Sequence, residues 1–548
     1  MKKHIKYLIG AAVIGVAATG CKKDFFNRPP ENASTVGTYY QTADEVQSST
    51  NILYAAPWFG FNGKAFLAIG DLQSGNARCD AGTDGEFDSF RNFSEGNATL
   101  AVQSTWNSLY TVVAQANALL NNLPTAAPAS VPAATVNNAL GEAHVLRAAA
   151  YFYLVRLFGN VPIITDPTLQ VTNFQTVPTN YVTDVYTFMI NDLKFGEANC
   201  TKGTASTGHV SSGSASALLA KVYLYEQDYA DAKTEAEKVI SSGEFALVGL
   251  NAPGQYVNLF ETAYNNNKES IIAMQWTSNG GYGFGNQIQS VIADGENGNY
   301  LTGTGDGYGE LGPTWDLQDA FKNAGDTIRR NGCIMLPGTY YAELHKATGG
   351  YTTPLAVNEQ GTHAGMKKYV VGTPADNNGA SAAQATSNNT YIMRFADVYL
   401  IASEAILGLS ATPSAGHGID TNASSSDATA LQYLNLVRQR AGLPARSSFT
   451  YRDLIKERRL EFAIEGDYWY DLQRIDGFNS ATHPVARNII ATQNRGGSSG
   501  AGTAPLYVDY TRNTLYIPAT DAQFLIPIPA TDVAADPTLL KSPVHYKF

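Results

Sequence analysis

Apolar residues recur at helical spacing in a series of long segments, and the segments come in pairs. Over 106–123, Trp106, Leu109, Tyr110, Val113, Ala116 and Leu120 fall on one face. Over 141–158, Ala143, Leu146, Ala150, Leu154 and Leu157 do the same. Residues 181–195 and 214–226 form the next pair. Residues 229–241 find their partner far downstream, at 391–407, and 427–441 with 451–474 close the series. The spacing Ala220-x2-Tyr223-x5-Tyr229-x2-Ala232 matches the small/aromatic rhythm of a tetratricopeptide repeat, and Trp106-x2-Leu109 echoes it. In that unit two antiparallel helices pack through small residues, and neighbouring pairs bury each other's flanks. The pattern predicts a mainly α fold: four tetratricopeptide-like helix pairs forming a helical scaffold.

Between 243 and 390 the texture changes. Residues 269–276 (Glu-Ser-Ile-Ile-Ala-Met-Gln-Trp) read as a strand, and Gly, Asn, Thr and Tyr then dominate with few helices, one at 315–321. Residues 372–389 and 496–503 read as mobile loops, and 524–529 as an extended strand capped by prolines. The chain divides into a helical region over 39–242, a large irregular, loop-rich insertion over 243–390 that would carry the ligand, and a region over 391–548 that completes the stack. Irregular segments of that length are seldom idle.

The first six residues are basic, and 7–18 are apolar but too short to span a bilayer, which fits a signal peptide. Ala18-Thr19-Gly20-Cys21 resembles a bacterial lipobox, with Ala18 where Leu is usual. On this reading 1–20 is a lipoprotein signal peptide, Cys21 is the lipidated first residue, and 21–38 is a tether. Cys79, Cys200 and Cys333 then allow one disulfide at most, so the fold rests on its core. No CxxC or zinc-type Cys/His spacing is present. That core is affordable: 44% of the 548 residues are hydrophobic, which excludes disordered and fibrous classes. The net charge of −11 argues against nucleic acid as a partner. Only 16% of residues are charged, and 31 are Tyr, a surface suited to neutral partners such as sugars.

Several motifs with chemical associations dissolve on inspection. Gly307-Tyr308-Gly309-Glu310-Leu311-Gly312 satisfies GxGxxG but lacks the flanking strand and helix of a dinucleotide site, and it reads as a tyrosine-bearing loop. The GxSxG at 496–500 sits in a Gly/Ser tract rather than a strand–helix elbow. Glu461 and Glu465 lie one helical turn apart, which invites a glycosidase dyad, but Arg458 and Arg459 beside them favour an ion-paired helix face. The aromatics are left. Trp58 and Phe59 lie early, and Tyr282, Phe284, Tyr300 and Tyr308 lie in the insertion with Asn286 among them. A flat exposed ring stacks on the apolar face of a pyranose while nearby amides bond its hydroxyls. Glycines on both sides of Tyr282, Phe284 and Tyr308 make burial harder, whereas Trp276, Trp106 and Trp469 read as core. The turn holding Asp294, Glu296, Asn297 and Asn299 gathers oxygen donors as a candidate calcium site, although plain surface turns look alike; no other cofactor is called for.

The chain resembles the SusD/RagB family of Bacteroidetes outer-membrane lipoproteins. The likeness runs in order from Cys21 and Phe26-Asn27-Arg28-Pro29, through Trp106-x3-Tyr110-x6-Asn117, to the long block from Gly141 through Ala148-Ala149-Ala150-Tyr151-Phe152 to Pro162. It continues with Glu269-Ser270-Ile271, Met393-Arg394-Phe395-Ala396-Asp397-Val398, Leu434 to Gly442, Glu457 to Arg474 and Leu525-Ile526-Pro527-Ile528-Pro529. The resemblance implies a surface-exposed, lipid-anchored protein of the outer membrane that binds oligosaccharide without hydrolysing it. The implied partner is a SusC-like TonB-dependent transporter, over which the protein closes like a lid. Peptide capture on the same scaffold stays open as an alternative, and a surface glycoside hydrolase is a more distant one. The family's strongest motifs are structural, so the binding residues above rest on aromatic-on-loop chemistry alone.

Overall fold

The computed structural model describes residues 39–166, 176–203, 207–294, 298–411, 417–498 and 511–548. The paired helices are present: α1 (Leu100–Ala126), α2 (Ala133–Phe158), α3 (Val182–Asn199), α4 (Ser212–Tyr225), α5 (Tyr229–Ser242), α6 (Phe395–Ala411), α7 (Ala428–Arg440) and α8 (Tyr451–Glu461). Their starts follow local chemistry. Ser211, Asp228 and Asp427 each accept a backbone N–H from the first turn of α4, α5 and α7, and Thr450 with Asp453 forms a capping box on α8. Each helix from α1 to α7 lies against the next, and α8 packs on α6, so the stack is continuous although 152 residues separate α5 from α6. From Val145 to Phe158, α2 is buried on every side. The Ala148-Ala149-Ala150 run lets its neighbours approach, and a side chain at Gly141 would meet Cys200 Sγ at 2.7 Å. Arg147 ties three helices together, bonding Asp192 of α3 at 2.7 and 2.8 Å and Asn117 of α1 at 2.7 Å. No helix of the described residues is long and apolar enough to cross a membrane.

The insertion leaves the stack through strand β1 (Ser270–Met274) and returns through the antiparallel β2 (Thr390–Arg394), with Thr390 opposite Met274 and Arg394 opposite Ser270. The helix expected from 391 therefore begins only at Phe395, because 390–394 is drawn into pairing with β1. The helix expected over 451–474 is also interrupted. Asp71 accepts the N–H groups of Ile464 and Gly466, both at 2.9 Å, and holds Ile464 at φ +62°. Gly70 and Gly466 touch backbone to backbone; a Cβ on Gly70 would lie 2.2 Å from the Gly466 Cα. The chain resumes as α9 (Tyr468–Arg474). Residues 372–389, expected to be a mobile loop, form a packed hairpin (Ser381–Ala382 with Ala385–Thr386) anchored by buried Asn377 and Asn388. The 525–529 segment is extended but joins no sheet, and the Ile526 N–H donates to the Leu157 carbonyl instead. Cys79, Cys200 and Cys333 are buried and free.

Where the insertion meets the C-terminal helices, a network of charges is fully enclosed. Arg394 at the end of β2 reaches Glu269, Glu461 and Glu465. Arg440 of α7 bonds Glu269 at 2.8 Å and also Glu461, and Arg329 of the insertion bonds Glu457 at 2.7 Å and Glu461 at 3.0 Å. Lys368 completes the set on Glu465 at 2.7 Å. A neighbouring network joins Arg458 to Asp397 and Asp471, and Lys221 of α4 to Asp397 and Asp467. Burial alone would raise the Glu461 carboxyl, but the guanidinium groups of Arg440, Arg394 and Arg329 outweigh it and hold it well below the usual carboxylate range.

Removing Glu461 takes one carboxylate from Arg329, Arg394 and Arg440 at once and leaves an excess of buried positive charge. Glu461→Gln is expected to cost about 3–5 kcal/mol of unfolding free energy at pH 7, read by urea titration. Because the folded-state pKa is depressed, this contribution is present above the unfolded value of about 4.3 and fades as pH falls below it. The difference between wild type and variant is therefore expected to begin shrinking at about pH 5 and to go on shrinking as pH falls toward the depressed folded-state value.

Candidate functional site

Three segments build a cleft of about 440 Å³ on the insertion side. The first follows β1. Gly281 and Gly283 take φ of +68° and +96° with open space where a Cβ would stand, so the chain turns sharply and leaves Tyr282 67% exposed. Asn286 then pins the loop, exchanging backbone hydrogen bonds with Thr386 at 2.8 and 3.0 Å. The second segment docks on the short helix Ile288–Ile292. The N–H groups of Tyr308, Gly309 and Glu310 donate to the carbonyls of Ser290, Ala293 and Val291, each at 2.9 Å, which holds the half-exposed Tyr308 ring at the rim. The third is the helical turn Phe59–Asn62. The Phe59 ring meets Tyr282 edge-on at 5.0 Å and Trp276 at 6.4 Å.

Polar groups complete the wall. Gln287 and Gln384 line it with amides that both donate and accept, and Lys64, Glu86 and Glu310 line it with charge. Lys64 Nζ lies 2.5 Å from Asp84 and 3.3 Å from Glu310. Burial pulls Lys64 down, but the hydrogen bond to Asp84 and the charge of Glu310 together push it up. Burial raises Glu310, and it raises Glu86 with help from the Asp84 charge. Rings with accessible faces beside amides and a few charges can hold a polyhydroxylated molecule by stacking and hydrogen bonding.

Of the residues expected to bind, the fold brings Phe59, Tyr282 and Tyr308 together. Tyr300 is exposed elsewhere, stacked on His345 at 4.2 Å, and Phe284 is half exposed but folds back over Gly280 without lining the cleft. Two expectations are corrected. Trp58 is fully buried, with its indole N–H on the Leu53 carbonyl at 2.7 Å and its edge against Tyr153; on this tight turn Trp58 and Phe61 point inward while Phe59 points out. Asn286 is also buried, and its amide is occupied by Asn62, Asn388, Thr390 and the Ile288 N–H, so it is the anchor of the loop rather than a ligand group. Glu461 and Glu465, enclosed among arginines, offer no substrate a dyad. Of the candidate calcium turn, Asp294 is buried, while Glu296, Asn297 and the Asn299 side chain lie outside the described residues, as do Cys21 and the tether. Among the described residues no three His, Cys, Asp or Glu side chains cluster to hold a metal.

A family model described as the SusD family matches residues 268–545, and one described as starch-binding associating with outer membrane matches 88–224. A SusD-like protein of Bacteroides ovatus is 31% identical over 99% of this chain and 98% of its own length. The chain belongs to the SusD family. A SusD-family fold is also shared with a crystal structure solved with xylogluco-oligosaccharide (29% identity, TM-score 0.78, 92% of this chain and 99% of that one). A laminarin binding SusD-like protein shares the fold at 23% identity and a TM-score of 0.68, covering 92% of this chain and 100% of its own.

In this SusD-family chain, Lys64, Glu86, Glu310 and Gln384 were not singled out from sequence. They come from separate elements, Gln384 from the Ser381–Thr386 hairpin and Glu310 from the segment docked on the Ile288–Ile292 helix, so no spacing marks them. Separating ring from core gives a test. Tyr282→Ala and Tyr308→Ala are expected to leave unfolding free energy within about 0.5 kcal/mol of wild type. Trp58→Ala is expected to lower it by about 3–5 kcal/mol, with urea unfolding as the measurement.

Proposed function

We propose that this protein is a non-enzymatic, cell-surface binder of oligosaccharides or polysaccharides. It is held at the outer membrane by lipid on Cys21 and passes its ligand to a SusC-like TonB-dependent transporter. The observation that carries the reading is the cleft in which Phe59, Tyr282 and Tyr308 converge beside Gln287 and Gln384. Rings on rigid loops accept the CH face of a sugar, and amides bond its hydroxyls in either direction. Support also comes from the relative solved with xylogluco-oligosaccharide, which matches the chain nearly end to end. Binding of this kind is modest, with dissociation constants on the order of micromolar to millimolar.

Isothermal titration against a xyloglucan oligosaccharide, laminarihexaose and a peptide panel tests it. Heat from at least one glycan is expected. Tyr282→Ala is expected to weaken that binding about tenfold, equivalent to about 1.4 kcal/mol. Heat from peptides alone would move the scaffold to peptide capture.

A further inference from the structure

The charges in the cleft do not cancel. Three charged side chains line it: Lys64, Glu86 and Glu310. Lys64 is already engaged, because its ammonium lies 2.5 Å from Asp84, just behind the wall, and only 3.3 Å from Glu310 Oε1. One cation thus bridges two carboxylates, and Glu86 adds a third negative charge to the wall. The Glu310 side chain is mostly enclosed, and its second oxygen, Oε2, is buried without a hydrogen-bond partner. Its backbone is fixed by the N–H bond to Val291, so the carboxylate stays at the cleft wall.

Building on the glycan reading above, we infer that the cleft selects uncharged glycans and turns away those bearing uronate or sulfate, with Glu310 as the specificity-determining residue. The argument is electrostatic. An anionic sugar brought between Tyr282 and Tyr308 would face Glu86 and Glu310 at short range, in a wall partly shielded from water. Like charges set against each other at an interface are repelled far more strongly than in bulk solvent. The available cation cannot answer, since turning Lys64 toward a ligand anion would strip Asp84 and Glu310 of their only shared partner. A neutral sugar meets no such penalty. Burial is the first cause that raises the Glu86 and Glu310 pKa values, and the Asp84 charge adds to it.

The test is isothermal titration of the protein with laminarihexaose and a xyloglucan oligosaccharide. Each is set against anionic probes, sulfated laminarihexaose and hexagalacturonate. Wild type is expected to prefer the neutral members by about tenfold or more at low salt, and less as salt shortens the Debye length from about 10 Å at 0.1 M to about 3 Å at 1 M. Glu310→Gln, and more strongly Glu86→Gln/Glu310→Gln, is expected to narrow the anionic-to-neutral ratio about tenfold, with circular dichroism showing an unaltered fold. If wild type takes sulfated laminarihexaose as tightly as laminarihexaose, or the double variant keeps the wild-type ratio, the charge selection is overturned and glycan binding stands. If no glycan of either kind binds while peptides do, the underlying reading falls and this inference with it.

Discussion

The structure hangs on a requirement of burial: carboxylates and guanidinium groups taken out of water have to meet one another, and here they meet around Glu461. One carboxylate gathers Arg329, Arg394 and Arg440, and Glu269, Glu457 and Glu465 share the same cations. These residues come from the insertion, from the end of β2, from α7, from α8 and from the loop after it. Hydrophobic packing alone would let a loop-rich insertion settle on the stack in several similar ways. A lattice of buried ions does not, since any slip leaves a charge unpaired at a penalty of several kcal/mol. Arginine suits the task because its planar fork bonds two carboxylates at fixed angles, as Arg394 and Arg440 both do between Glu269 and Glu461. The consequence for function is positional. Glu269 immediately precedes β1, and β1 leads into the Tyr282 loop, so the network that anchors the insertion also aims the cleft.

The helices were legible because a period near 3.6 survives whatever packs around it, and even the distant partnership of 229–241 with the segment before 411 could be read from pattern. The breaks were not legible. Nothing local to Phe462–Gly466 ends a helix decisively; Asp71, some 390 residues upstream, supplies the two acceptor bonds that do. Likewise, 391–394 alternates as well as it spirals, and only β1 decides between the two. In the candidate site, glycine was the useful signal. Gly281 and Gly283 have backbones that other residues rarely adopt, and between them Tyr282 stays largely exposed, touching the Phe59 ring at its edge. Side-by-side aromatics defeated the same reasoning: Trp58 and Phe59 differ by one position on a tight turn, which is enough to place one in the core and the other at the cleft. Asn286 misled for a different reason. A polar residue in a Gly-rich loop suggests contact with solvent or ligand, but such a loop also needs an internal anchor, and a buried amide with four partners is one.

The arrangement of the cleft bears on how tightly it can hold anything. Its rings stand on loops already fixed by backbone hydrogen bonds, at Asn286–Thr386 and at Tyr308 to Glu310, so little order remains to be imposed when a ligand arrives. That favours fast capture. The contacts themselves are few: three accessible rings, two amides and a handful of charges around an open cleft. A protein built to retain its ligand would enclose it and desolvate many polar contacts at once. Rigid presentation of a few contacts instead limits the entropy lost on binding while leaving dissociation fast. For a protein proposed to give its ligand up to a transporter, that balance is the useful one: selectivity comes from the shape and charge of the wall, and release comes from the small number of bonds to be broken.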